Sequence, residues 1–351
     1  KFAHLDLRKD PEVVKAAARH NGMTLQFAHG DLRKDPEIVK IAVGECGFAL
    51  EFADVDLKNN IDVVTFAVSQ DGRALEFAHE DLQNNPQVVK IAVRQNGLAL
   101  KFALGDATKN RVIVMIAVSQ NGLALEFAVK DLKNEFAVVK IAVSRNELAL
   151  QFASDDAKKD PKVVKAAVRL DGNALQFAHV DLRKETVVVK AAVSQTGMAL
   201  QFAHGDIRKD PKIVKIAVRL DGLALRYACV DLKNDLTVVK IAVSQNGFAL
   251  EFASDNAKKD REIVKIAVSQ KDPKIVKIAV QQINGKDVEA TVILEGLALK
   301  FAHELLRDDP EIVKIAESTN LFALQSLQRA SLAMPQENSE FVATLALRAV
   351  S

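Results

Sequence analysis

The chain has 351 residues, with 48 Lys and Arg against 46 Asp and Glu, two cysteines, one tyrosine and no tryptophan. At 49% apolar and 27% charged its composition is neither disordered nor fibrous, and no apolar run approaches the roughly 18–20 residues of a membrane span. The net charge of +2 is too small to announce a nucleic-acid or membrane partner.

Length alone suggests two or three globular domains, at about 100–200 residues each. The sequence overrides that prior, because it repeats from its start. Lys1 opens it with neither an initiator Met nor a signal-peptide pattern, so the sequence does not report its own targeting. Gly22, Gly47, Gly72, Gly97 and Gly122 stand 25 residues apart; Glu147 interrupts the series, and Gly172, Gly197, Gly222 and Gly247 resume it. Phe2 to Phe252 keep the same register, with Tyr227 as the one substitution, and alanine follows each of them. A fixed period of this length marks a solenoid, propeller or array.

Each unit begins with a segment such as Gly97-Leu98-Ala99-Leu100-Lys101-Phe102-Ala103. It is rich in good helix formers. A polar turn follows, then a second apolar segment such as Pro86-Gln87-Val88-Val89-Lys90-Ile91-Ala92-Val93. Asp or Asn before Pro, as at Asp10-Pro11, Asp35-Pro36, Asn85-Pro86, Asp160-Pro161 and Asp210-Pro211, starts a helix: the side chain caps free N–H groups and Pro at the first position sacrifices none. Asn or Asp before Gly at the far end suits a left-handed C-cap, and the same Asn or Asp then opens the next helix. The rival is a strand-containing repeat, since Val-Val-Lys-Ile-Ala-Val is β-branched. Its apolar residues do not alternate strictly, however, and Val88, Ile91 and Ala92 fall at i, i+3, i+4. The expected fold is all-α, an α-solenoid of 25-residue helix-turn-helix repeats whose apolar faces are hidden only by stacking.

Regular repeats are expected over 1–268. At 269–295 the register fails: Lys271-Asp272-Pro273 opens a second-helix segment with no first helix before it. A regular repeat returns at 296–320, and the Ser-, Gln- and Thr-bearing stretch 321–351 reads as an atypical C-terminal cap. The sequence predicts one continuous rod with an irregular joint.

The unit Asn-Gly-Leu-Ala-Leu-Glu-Phe-Ala, then Asp-Leu-Lys-Asn-Asp, then Val-Val-Lys-Ile-Ala-Val resembles the DUF4116 repeat, a domain of unknown function spanning about two such units. The copy from Gly222 to Gln245 carries the pattern well. The resemblance implies a helical repeat array and supplies no activity and no catalytic residues.

Several columns could carry chemistry. A lysine column (Lys15, Lys40, Lys90, Lys140, Lys165, Lys190, Lys215, Lys240, Lys265) is broken by Thr65 and Met115, and an aspartate column runs from Asp6 to Asp231. The expected roles are structural: Asp caps the turn, and the Lys stem covers apolar surface while its amine meets a carboxylate. A basic stripe along the turn, including Arg33-Lys34, Lys58, Lys109, Lys133, Lys158-Lys159, Arg183-Lys184, Arg208-Lys209 and Lys258-Lys259, is the basis of the alternative function, a nucleic-acid-binding repeat protein. Carboxylates flank it, and the repeated Phe reads as core rather than as a base-stacking platform.

The candidate partner-facing column is His4, His29, Asp54, His79, Leu104, Val129, Ser154, His179, His204, Cys229, Ser254 and His303. It varies while its neighbours hold, and a metal ladder would not tolerate its Leu, Val and Ser. Cys46 and Cys229 lie in different columns, too far apart in a stack to bridge, and free thiols suit a reducing compartment. No GxGxxG, Walker, HExxH or CxxC pattern is present, so no cofactor, metal or catalytic residue is expected. The function expected is a non-enzymatic scaffold that binds a protein partner along an extended solenoid face, alone or as a linker or accessory subunit of a larger complex.

Overall fold

A computed structural model describes residues 6–269 together with Pro310, Glu311 and Lys314. The expected junction at 269–295, repeat at 296–320 and cap at 321–351 lie outside the described residues, apart from Ser269 and those three. The chain divides into two compact units, Lys1–His179 and Val180–Ser351.

The fold is an all-α repeat solenoid, and among the described residues every regular element is helical. One module runs through a six-residue 3-10 helix (Gly47–Phe52), a single short helical turn (Val55–Lys58) and a ten-residue α-helix (Ile61–Gln70). The first helix of each pair is thus the tighter 3-10 form, which suits short segments, and the polar turn is itself helical. At its end the Ala53 N–H donates to the Leu50 carbonyl, three residues back.

Caps set the boundaries as the sequence implies. Asp35 accepts from the Glu37 and Ile38 N–H groups at 2.8 and 3.3 Å. Asn60, Asn85, Asn110 and Asp235 make the same pair of bonds. At the far end the Asn96 N–H closes on the Ala92 carbonyl, while its side chain accepts from the Leu98 N–H and starts the next 3-10 helix. Asn85→Ala removes two acceptor contacts at one helix start, and denaturant unfolding is expected to register a loss of about 0.5–2 kcal/mol.

From Pro36–Glu45 to Leu236–Gln245 each long helix buries four residues in two adjacent pairs, as in Val88, Val89, Ala92 and Val93, whereas Pro11–His20 buries only Val14 and Ala18. Ile91, read from spacing as part of the stripe, is only half-buried. From the 3-10 helix the module contributes a fully buried leucine, Leu25, Leu50, Leu75, Leu100, Leu125 and Leu150 in the first unit and Leu200, Leu225 and Leu250 in the second. The repeated Phe, expected to be core, sits half-buried at the edge.

The glycine column has a different cause from the one its sequence suggests. None of these glycines has positive φ, a property that belongs to Gly105 alone among the described residues (φ 53°). Gly22, Gly47, Gly72, Gly97 and Gly122 in the first unit, and Gly197 and Gly222 in the second, instead lie against the carbonyl of an alanine twenty residues on, in the next module. A Cβ on Gly47 would come within 2.7 Å of the Ala67 oxygen, and one on Gly122 closer still to Ala142. Glycine is there because two backbones touch. Glu147 makes the point by exception. Its counterpart is Ala167, and the helix carrying that residue stops early, at Pro161–Val168, with the Asp171 N–H stretched to 3.3 Å from the Ala167 oxygen against 2.8 Å for Asn121 to Ala117. Glu147→Gly is therefore expected to lengthen that helix, read as increased hydrogen-exchange protection of the Leu170 and Asp171 amides.

Candidate functional site

The candidate partner-facing column lies at the start of the short helical turn, on one edge of the stack. Its backbone N–H groups form a ladder between modules: His29 donates to the Arg8 carbonyl, Asp54 to Arg33, His79 to Lys58, Leu104 to Gln83, Ser154 to Lys133, His179 to Lys158, His204 to Arg183, Cys229 to Arg208 and Ser254 to Lys233, all at 2.9–3.1 Å. His4 and His303 lie outside the described residues.

The side chains explain why the column favours His, Asp and Ser. Nδ1 of His29, His79 and His204 accepts from the N–H two residues on at 3.3–3.4 Å. Asp54 accepts from Asp56 N–H, and Ser154 and Ser254 accept from the Ala157 and Ala257 N–H groups. These residues are helix caps, half-exposed and engaged in their own module. Where Leu104 supplies no acceptor, Asn84 of the preceding module reaches across: its Oδ1 accepts from the Asp106 and Ala107 N–H groups at 2.9 and 3.4 Å. The left-handed Gly105 beside it leaves room, since a Cβ there would meet the Asn84 side chain.

The aspartate column, expected to cap this turn, does not. Asp31, Asp81 and Asp206 present a carboxylate oxygen 3.1–3.2 Å from the histidine Nδ1, while Asp106, Asp156, Asp181 and Asp206 each face a lysine three residues on. That geometry occupies Lys109, Lys159, Lys184 and Lys209 of the basic stripe. Two more of its cations turn towards the carboxyl end of the preceding 3-10 helix, where free carbonyls attract donors. Lys133 Nζ donates to the Glu126 carbonyl at 2.7 Å, and the Arg208 guanidinium donates to the Gln201 and Ala203 carbonyls at 2.8 and 2.9 Å. Gln83, in the same column, does likewise to Leu75 and Glu76. Burial pushes the Arg183 guanidinium and the Lys233 ammonium below their ordinary values. Cations held this way make poor phosphate contacts.

The long-helix face differs. Some of its lysines meet a carboxylate of the next module: Lys15 to Glu37 at 3.0 Å and Lys240 to Glu262 at 3.1 Å. Lys265 finds an equivalent partner further along the chain, Glu311, which Arg261 also engages. Among the described residues Lys90, Arg94 and Lys140 have no carboxylate within ion-pair distance. Between them, where Met115 breaks the lysine column, lies an open depression of about 490 Å³ lined by Arg94, Val112, Met115, Ile116, Ser119 and Gln120. In the sequence this place shows only as the missing lysine at Met115.

Cys46 and Cys229 are free thiols. Among the described residues no three His, Cys, Asp or Glu side chains converge as metal ligands, and no helix is long and apolar enough to cross a membrane.

No curated protein and no solved structure matches the chain. The model of DUF4116, a domain of unknown function, matches residues 10–58, 60–104, 110–156, 137–183, 188–233, 224–256 and 235–272. The matches beginning at 110 and 137 overlap, offset by about one module, as they do when a two-module profile slides along a one-module period. With most of its length matched and its modules built alike, the chain belongs to the DUF4116 family.

Proposed function

We propose that the protein is a non-enzymatic repeat scaffold that binds a protein partner along an extended face of its stacked modules, alone or as an accessory subunit of a larger assembly. The observation that carries this reading is the division of labour within the module. The same columns close the interior every 25 residues, while exposed long-helix positions such as Glu12, Glu37, Asp62, Gln87, Val112 and Lys162 are released from packing and change from one module to the next. Such a surface is preorganised, so many modest contacts add without an ordering cost.

The cap edge is committed to its own turns and to the backbone ladder, so the long-helix face is the better candidate for contact. Six cations of the inter-helix stripe, on which a nucleic-acid reading depends, lean on carboxylates or carbonyls of their own module: Lys109, Lys133, Lys159, Lys184, Arg208 and Lys209. Affinity capture with the full chain, followed by mass spectrometry, tests the proposal. The result expected is a protein retained by the wild type and released by charge substitutions on the long-helix face. Recovery of nucleic acid alone, lost steeply with added salt, would contradict it.

A further inference from the structure

The reading above leaves the partner's chemistry open, and the two breaks in the lysine column bear on it. At the first, Thr65 is followed by Phe66, whose ring lies over Gly44 of the preceding long helix, within 3.1 Å of where a glycine Cβ would stand. That break is filled from within. At the second nothing fills the gap. Met115 lies between Lys90 and Lys140 on three successive long helices, and the depression around it is walled by Val112, Ile116 and the Arg94 side chain. Val112 is 55% exposed, and Phe136 on the next helix is 39% exposed with Lys140 Nζ 5.8 Å from its ring.

The charge around this patch has one sign. The outward positions of the helices Pro86–Gln95, Arg111–Gln120, Phe136–Arg145 and Pro161–Val168 carry Lys90, Arg94, Lys140, Lys162 and Lys165, and no acid. The nearby Glu135 is held by Arg111 at 2.6 Å. Earlier in the unit the same positions carry Glu12, Glu37 and Asp62; the helices Thr186–Gln195, Pro211–Leu220 and Leu236–Gln245 also lack acids, so what sets this patch apart is the missing lysine and the apolar depression at Met115 beside its cations.

We infer that the face centred on Met115 is a docking site for an acidic amphipathic helix of a protein partner, its apolar side chains in the depression and its carboxylates on Lys90, Arg94 and Lys140. A nucleic-acid strand would use the cations and have no need of the apolar floor. A helix with apolar residues on one stripe and acids on its flanks uses both. Long helices packed about 8–10 Å apart put Lys90 and Lys140 about 16–20 Å apart, which a helix of about 11–13 residues spans.

This inference rests on the scaffold reading, and its test separates the two. A displayed library of random peptides of about 16 residues, just over the spanning length, is panned against the full chain. Enriched peptides are then measured by fluorescence anisotropy against the wild type, Met115→Glu and the double variant K90E/K140E. All three side chains lie outside the buried core, and circular dichroism checks that each variant stays folded. Enrichment of acids flanking an apolar i, i+3, i+4 stripe is expected, with affinity falling at least about tenfold in both variants. Enrichment without acidic bias, no enrichment at all, or acidic peptides bound equally by Met115→Glu would overturn the inference. So would a single-stranded oligonucleotide that binds this face, releases on K90E/K140E and competes with the peptides without using Met115. If Met115→Glu still captures the protein that the wild type captures, the docking site falls and the scaffold reading stands. If the wild type captures none, both fall.

Discussion

Leu125→Ala is expected to cost about 2–5 kcal/mol, the range for truncating a fully buried leucine without collapse of the site. Leu125 has no exposed surface and comes from a 3-10 helix that neighbouring modules cover. Phe127→Ala, two residues on, removes more atoms from a side chain that is only half-buried. Scaling the usual about 3–5 kcal/mol for a buried Phe by that exposure gives about 1–2 kcal/mol. Guanidinium unfolding of the two variants decides which residue anchors the module. A larger loss for Phe127→Ala would return the aromatic column to the core role that its regularity suggests.

Gly122→Ala is the second large effect. The added methyl meets the Ala142 oxygen and lies 3.0 Å from the Asn146 nitrogen, both backbone atoms that cannot rotate away. Overpacking of this kind costs about 1–3 kcal/mol. The contact joins two modules, so the loss falls on an interface, and in a quasi-one-dimensional stack an interface defect weakens coupling between the segments on either side. Unfolding is expected to broaden as well as to shift. Gly205→Ala is the control: a Cβ there meets nothing within 4 Å and the backbone has negative φ, so the change is expected to be neutral or stabilising by about 0.4–1 kcal/mol through the unfolded chain. Equal destabilisation by the two substitutions would remove the close-approach explanation for the glycine column.

Much of this architecture is legible in the sequence because its causes are local. Asp35 and Asn85 announce helix starts through bonds made two and three residues away. The 25-residue period follows from residues that recur in place. What the sequence hides are causes that act between modules. The glycine column reads as a C-cap because Asn-Gly at a helix end usually is one, yet the contact that forbids a side chain comes from an alanine in the next module. Periodicity identifies a constrained column without naming its constraint. The cap column misleads in the opposite sense. His, Asp and Ser look unrelated, and so look free to vary, although each supplies an acceptor to the same turn. The depression at Met115 leaves only a faint mark, one missing lysine, because its walls belong to two helices 25 residues apart.

The claim beneath all of this is that a 25-residue module has no interior until neighbours cover it. Its most direct test is the unfolding free energy of arrays cut at module boundaries, from one module upward through residues 22–146. A lone module is expected to be unfolded by circular dichroism, and stability is expected to rise with each module added as interfaces accumulate. A single module that is helical and melts cooperatively on its own would contradict it.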